Sequence, residues 1–228
     1  MMDSRVVPVR RGGLATETAD ALREAILGGH FEPGDPLREV ELAAMLDVSR
    51  GSLREGLAVL ETEGLVVRGW HRGTRVIDAA ARDVREVYDL RAGLDRLAAV
   101  TASGRISRDN ISELDETLRL LSQAGAGSAP PAELVELDLR FHDQVYDIAG
   151  NQRLTDAWTG IRSQVLLFQQ RRVRAGSADY RQAIGLEHDH YRDLLIQGDI
   201  DAVAREAERH VHIARDFLLA TMPSDGEM

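Results

Sequence analysis

The run Asp47-Val48-Ser49-Arg50-Gly51-Ser52-Leu53-Arg54-Glu55-Gly56-Leu57-Ala58-Val59-Leu60-Glu61-Thr62-Glu63-Gly64-Leu65-Val66 constrains this chain more than any other stretch. Leu53, Leu57 and Leu60 recur at helical spacing, so one face of the segment turns toward a core. Ser49 is suited to cap the first turn, and Gly64 stops the helix just before a short apolar strand. Arg50 and Arg54 lie four apart and border the apolar stripe rather than fill it. A capped helix with small residues and two arginines near its start is what the major groove of DNA admits. Taken alone, the segment is equally a surface helix with solvated arginines. Its flanks decide.

Upstream, Ala15, Ala19, Leu22 and Ile26 predict a helix from Ala15 to Leu27, ended by Gly28-Gly29. The segment from His30 to Pro36, with two prolines, reads as a turn. Leu42, Ala43 and Leu46 then mark a short helix from Glu39 to Leu46, and Asp47 falls in the tight connection that follows. Two short helices joined by about three residues form a helix-turn-helix. Downstream, Leu65–Arg68 and Thr74–Ile77 flank Gly69-Trp70-His71-Arg72-Gly73, the pattern of a β-hairpin wing. His71 and Arg72 occupy its tip, and Gly73 permits close backbone approach to whatever lies beneath. Residues 1–14, polar and carrying Arg5, Arg10 and Arg11, read as a flexible arm.

A net charge of −10 argues against a protein that coats nucleic acid without regard to sequence. The acid is unevenly spread, however. Residues 48–76 hold five Arg against three Glu, so DNA contact is confined to a local patch. There are no cysteines, which removes disulfides and thiolate metal sites. No run of 18 apolar residues and no signal-peptide core are present, so a cytoplasmic protein without membrane contact is expected.

With these features in place, residues 15–77 resemble the winged-helix domain of GntR-type bacterial regulators. The residues that carry the resemblance are Leu22-Arg23-Glu24-Ala25-Ile26-Leu27-Gly28-Gly29, Pro33-Gly34-Asp35, Glu41-Leu42-Ala43, Val48-Ser49-Arg50, Leu53-Arg54-Glu55, Leu60 through Val66, and Arg72-Gly73. The resemblance implies DNA contact by Ser49, Arg50, Gly51 and Arg54, aided by Gly73 of the wing. Arg38, Ser52, His71 and Arg72 complete the expected DNA-contacting set. The chain departs from the pattern in three places. Asp47 stands for the usual turn glycine, and Gly51-Ser52 for the common Thr-Pro or Thr-Thr. Gly56 stands for a helix alanine, at a propensity cost of up to about 1 kcal/mol.

Beyond residues 78–83, read as a linker, the sequence is helical throughout. Val84, Val87, Leu94 and Ala98 make one stripe; Ile111, Leu114, Leu118 and Leu121 a second; Leu134, Phe141, Val145 and Ile148 a third; Leu154, Trp158, Ile161, Val165 and Phe168 a fourth. A fifth helix runs from about Ala178 to Gln197, and Gly198-Asp199 separates it from a sixth that reaches Ala220. The expected fold class is mainly α. A winged helix-turn-helix of three helices and a hairpin precedes an antiparallel bundle of about six helices over residues 84–221, with a tail at 222–228.

Polar residues on the apolar stripes are the informative ones. Asp138 and His142 are four apart and adjacent on one helix flank. His188 shares a face with Ile184, Tyr191 and Leu195, and His210 with Val203, Ala207, Ala214 and Phe217, whereas His190 and His212 point away. Each histidine singly is a hydrogen-bonded core imidazole. Jointly, four inward polar groups left unpaired would cost roughly 1–3 kcal/mol each. One divalent cation satisfies all of them, and imidazole with a carboxylate suits zinc, nickel or a similar borderline metal. Both readings stand on spacing alone.

Residues 80–220 further resemble the FCD effector domain of FadR-like GntR regulators. Asp138-Leu139-Arg140-Phe141-His142, Ala149-Gly150-Asn151, Glu187-His188, Gly198-Asp199 and His210 carry this. The resemblance implies that Asp138, His142, His188 and His210 are the metal ligands, as in the metal-binding members. Arg91 lies in the middle of the first stripe, where a charge is rarely buried unpaired. It forms either a salt bridge to an acidic residue of a neighbouring helix or, with an open position on the metal, a seat for a carboxylate effector. FCD regulators often sense small organic acids.

The expectation is a ligand-responsive transcription repressor, not an enzyme. It is expected to bind pseudo-palindromic operator DNA as a homodimer, together with a divalent metal (zinc foremost) and a small carboxylate. The rivals are a regulator that senses the cation itself and a metal-dependent hydrolase; no motif supplies the latter with a general base.

Overall fold

The computed structural model describes residues 12–69, 73–78, 80–127, 129–175 and 178–222, and divides into two compact units, Met1–Asp78 and Ala79–Met228.

The first unit holds α1 (Gly12–Leu27), β1 (Pro36–Leu37), α2 (Glu39–Met45), α3 (Arg50–Thr62), β2 (Val66–Gly69) and β3 (Gly73–Val76). Ser49 caps α3 by accepting the Ser52 amide at 3.1 Å. At the other end Gly64 adopts φ +67°, and the Leu65 and Gly64 amides return to Leu60 and Glu61 carbonyls, closing the helix as a Schellman motif. Leu53, Leu57 and Leu60 are fully buried. The wing is larger than a hairpin. β3 pairs with β2 on one side and with β1 on the other, with Pro36 opposite Arg75 and Leu37 opposite Thr74. Pro36, read from the sequence as part of a turn, begins this edge strand, a position where its missing N–H costs no ladder hydrogen bond. Helix α1 begins at Gly12, within the segment read as an arm.

Two departures from the family pattern have structural explanations. Asp47 is the one described non-glycine residue with positive φ, +51°, so it takes the left-handed position after α2 that glycine fills elsewhere. Aspartate is among the few residues that tolerate it. Gly56 is different. A Cβ there would stand 2.9 Å from Thr18 Cγ2 and 3.2 Å from the Ala15 carbonyl oxygen. Gly56 therefore lets α1 and α3 approach closely, and its low helix propensity is offset by packing. Gly56→Ala is expected to lower stability by roughly 1–2 kcal/mol, since overpacking outweighs the gain of about 1 kcal/mol in propensity. Urea unfolding of the full chain checks this; a rise in midpoint would show that α1 can shift without loss.

The second unit contains α4 (Ala81–Ser103), α5 (Arg108–Ala126), α6 (Pro131–Ala149), α7 (Gln152–Arg174), α8 (Ala178–Gln197) and α9 (Ile200–Ala220). Ser107 with Asn110, Asn151 and Asp199 cap the starts of α5, α7 and α9, and Pro131 opens α6 at a position where its missing N–H would be unpaired anyway. Gly150 at φ +59° ends α6. Helix α4 is the centre of the bundle, packing on α6, α7, α8 and α9. It starts at Ala81, inside the segment read as a linker. Among the described residues no helix is long and apolar enough to cross a membrane.

Candidate metal centre and DNA-reading helix

Asp138 and His142 rise one turn apart from α6, His188 from α8 and His210 from α9. All four are buried, and each offers a ligand atom within 4.8 Å of the others. His188 and His210 ring centroids are 4.5 Å apart, and His142 lies 5.4 Å and 5.3 Å from them. His188 Nε2 is 3.0 Å from Asp138 Oδ1 without making a hydrogen bond. Ligands about 2.1 Å from one ion stand roughly 3.0–3.4 Å apart in tetrahedral or octahedral geometry, so this spacing fits two donors facing a shared cation.

Partner atoms orient the rings. His188 Nδ1 lies 2.7 Å from the Ile184 carbonyl oxygen, to which it donates, leaving the Nε2 lone pair toward Asp138. His142 Nδ1 is 3.4 Å from Asp95 Oδ2, with Nε2 on the other side of the ring. His210 Nδ1 is 3.8 Å from Glu187 Oε2. Both Asp138 oxygens, Nε2 of His142 and His188, and Nδ1 of His210 are buried with no hydrogen-bond partner. Such orphans are rare in native proteins, and their convergence on one point is accounted for by a shared bound ion.

The protonation states agree. Burial, then the charge of Arg91, holds the His142 imidazole well below the ordinary histidine range; burial and His188 do the same for His210. Burial works to raise the Asp138 carboxyl, but His188, His210 and Arg91 outweigh it and hold it below the usual range. Neutral imidazole and ionised carboxylate are the ligating forms. His190 is exposed and His212 half-buried, and both lie outside the cluster.

Arg91, fully buried on α4, meets its ion-pair partner on its own helix rather than on a neighbouring one: Nε is 3.3 Å from Asp95 Oδ2. The pair is incomplete. Both terminal nitrogens, Nη1 and Nη2, are buried without hydrogen-bond partners. Arg91 packs between aromatic faces, 5.9 Å from Tyr88 and 5.4 Å from Trp158. Burial pushes the Tyr88 phenol up to about 12, and its oxygen is likewise unpartnered. Sequence reasoning missed Asp95, which also accepts the Tyr146 hydroxyl at 2.6 Å; its i+4 spacing from Arg91 was the available signal. Burial raises the Asp95 carboxyl, against the pull of Arg91 and Tyr146.

On the first unit, Arg50 and Gly51 lie exposed at the start of α3 and Ser52 is half-buried. Ser49 Oγ is engaged with Ser52, amide and hydroxyl both. Arg54 pairs with Glu39 at 2.7 Å, and its carbonyl accepts from Arg68 of β2 at 2.9 Å, tying wing to helix. Arg38 is exposed and pairs with Glu41 at 3.1 Å. Gly73 opens β3 at φ +70°, while His71 and Arg72 fall outside the described residues.

Residues 14–76 match the description "Bacterial regulatory proteins, gntR family", and residues 86–212, more than half the chain, match the FCD domain. The chain belongs to the GntR family, in the group that carries an FCD domain. It is a DNA-binding transcriptional regulator. The Nta operon transcriptional regulator of Aminobacter aminovorans is 31% identical over 192 residues, spanning 83% of this chain and 87% of the relative. The "Probable D-xylose utilization operon transcriptional repressor" of Paenarthrobacter nicotinovorans is 29% identical over 229 residues, spanning 99% and 96%. In fold the chain is similar to the crystal structure of a putative GntR regulator from Rhodococcus sp. RHA1. The TM-score is 0.76 at 24% identity, covering 92% of this chain and 99% of that one. In this GntR regulator the helical unit, α4 to α9, thus corresponds to the FCD domain, and the buried Asp138–His142–His188–His210 cluster lies wholly within it.

Proposed function

We propose that this GntR-family protein is a ligand-responsive repressor whose FCD domain holds a divalent metal, zinc foremost, together with a small carboxylate effector. Residues 15–77 read the operator and residues 84–221 bind the ligands and dimerise. The support is the set of orphaned donor atoms on Asp138, His142, His188 and His210, beside the orphaned guanidinium nitrogens of Arg91. The donor set contains nitrogen and oxygen only, which suits zinc or another borderline metal. Bound there, the ion would supply a cationic anchor for an anion. The chain's own part is to hold the His142 and His210 imidazoles neutral, to orient the ligating rings, and to present Nη1 and Nη2 of Arg91 as a fork for a carboxylate.

Two copies of the reading helix meeting a pseudo-palindromic operator require a two-fold dimer. An apolar stripe on α4 supports one: Leu90 and Leu97 are each 50% exposed, with Gly93 open between them. The ion pairs Arg96–Glu208 and Arg215–Asp89 flank it. Effector binding changes the separation of the two reading heads by its differential affinity for the two arrangements, and so changes operator affinity. Repression agrees with the repressor named among the relatives.

A thermal-shift screen of the metal-loaded protein against small carboxylic acids tests this reading. An acid that stabilises the wild type identifies the effector class. Arg91→Lys is expected to retain metal and the charge facing Asp95, yet to bind that acid roughly 10- to 100-fold more weakly, because the fork is lost. Arg91→Leu is less informative, since stripping the buried Asp95 of its counter-ion costs roughly 3–5 kcal/mol. If no acid shifts the wild type, the carboxylate effector is overturned, the cation is either the signal itself or purely structural, and Arg91 keeps only its salt bridge to Asp95.

A further inference from the structure

Asp95 stands between the two halves of the candidate site. Its carboxylate is 1% exposed. Oδ1 is taken by the Tyr146 hydroxyl at 2.6 Å. Oδ2 faces two cationic or polar groups at once, Arg91 Nε at 3.3 Å and His142 Nδ1 at 3.4 Å. Tyr146 is itself held in place. Its ring stacks on Trp158 at 5.1 Å and 7°, and Trp158 Nε1 donates to Asp143 at 2.6 Å. The carboxylate therefore has one anchored oxygen and one shared oxygen.

Sharing has a consequence. A carboxylate near Nδ1 favours the proton on that nitrogen and a lone pair on Nε2, the atom of His142 that is buried without a partner. The same oxygen occupies Arg91 through Nε alone, which leaves Nη1 and Nη2 for another anion. An anion that engages those two nitrogens competes for the guanidinium charge and loosens its hold on Oδ2. The freed oxygen then turns more fully to His142 Nδ1–H, and the imidazole becomes a better donor through Nε2.

We infer that Asp95 is a positioning residue that couples anion binding at Arg91 to metal binding at His142, so that each ligand strengthens the other through one shared carboxylate oxygen. This rests on the metal-binding reading of the FCD cluster. By linkage the effect is reciprocal: whatever factor the anion adds to metal affinity, the metal adds to anion affinity.

The test uses full-length wild type, Asp95→Asn and Tyr146→Phe, each titrated with Co²⁺ with and without acetate and followed by the visible d–d bands of the bound ion. In the wild type acetate is expected to tighten Co²⁺ binding by roughly fivefold or more, within the usual range of coupling. Asp95→Asn is expected to bind Co²⁺ about 10- to 100-fold more weakly, as for other partners of a ligating histidine, and to show a clearly smaller acetate effect than wild type, with altered bands. Tyr146→Phe spares both contacts of Oδ2, so it is expected to lower the melting temperature but keep the coupling. Co²⁺ bands in Asp95→Asn identical to wild type, with the acetate effect intact, overturn the role of Asp95 while leaving the metal site standing. Equal loss of coupling in both variants overturns it too, since Asp95 would then serve only as structure. Absence of any Co²⁺ bands in the wild type removes the metal reading and this inference together. Bands that acetate leaves unmoved remove the inference alone.

Discussion

A His188→Ala chain is expected to lose its zinc on purification and to melt on the order of 10 °C below the wild type when both are assayed with zinc present. The ring is fully buried, its Nδ1 is committed to the Ile184 carbonyl, and its Nε2 stands 3.0 Å from Asp138. Removing it takes one of four donors from the cluster and leaves the Asp138 carboxylate facing an enlarged void. A metal present at about a thousand times its dissociation constant contributes about 4 kcal/mol to the folded state, and in a domain of this size each kcal/mol moves the midpoint by about 2–4 °C. Chelation of the wild type should reproduce the metal-dependent part of the loss. The variant should show no further fall on chelation, which separates lost metal from lost packing. His190→Ala, two residues on and exposed, should stay within about 0.5 kcal/mol of wild type. Zinc content that is equal in the two variants would defeat the assignment of His188 as a ligand.

Arg50→Ala is expected to weaken binding to the specific operator by roughly 10- to 100-fold per reading head, with the melting curve unchanged. Arg50 is the first residue of α3 and is exposed, so its loss disturbs no core contact. The neighbours are less clean. Ser49→Ala would also remove the helix cap, at about 1 kcal/mol of stability. Arg54 is paired with Glu39 across an exposed surface, and such a pair is worth at most about 1 kcal/mol, little enough for a phosphate or a base edge to displace it. Fluorescence anisotropy on operator and random duplexes at fixed salt gives the comparison. Specific binding that survives Arg50→Ala unchanged would take this arginine out of the reading face.

Much of this regulator is written in local periodicity. Leu53, Leu57 and Leu60 place the buried face of α3, Ser49 and Gly64 mark its ends, and the structure has all five in those roles. The same helical geometry separates His188 from His190 and His210 from His212, and it sets Asp138 beside His142. Caps, stops and facing residues depend on φ, ψ and a 100° step, which neighbours in the chain control.

What the sequence alone determined, then, was which helices exist, where most of them stop, and that Asp138, His142, His188 and His210 turn inward. Tertiary structure decided which of those side chains meet. Pro36 became a strand because β3 passes beside it; Gly56 proved necessary because Thr18 of α1 lies within 2.9 Å of where a Cβ would be. Asp95 entered the site because α6 sets His142 and Tyr146 against α4, residues 47 and 51 positions away in the chain. Such contacts arise from how whole helices pack, and no spacing along a single helix encodes the distance between two of them.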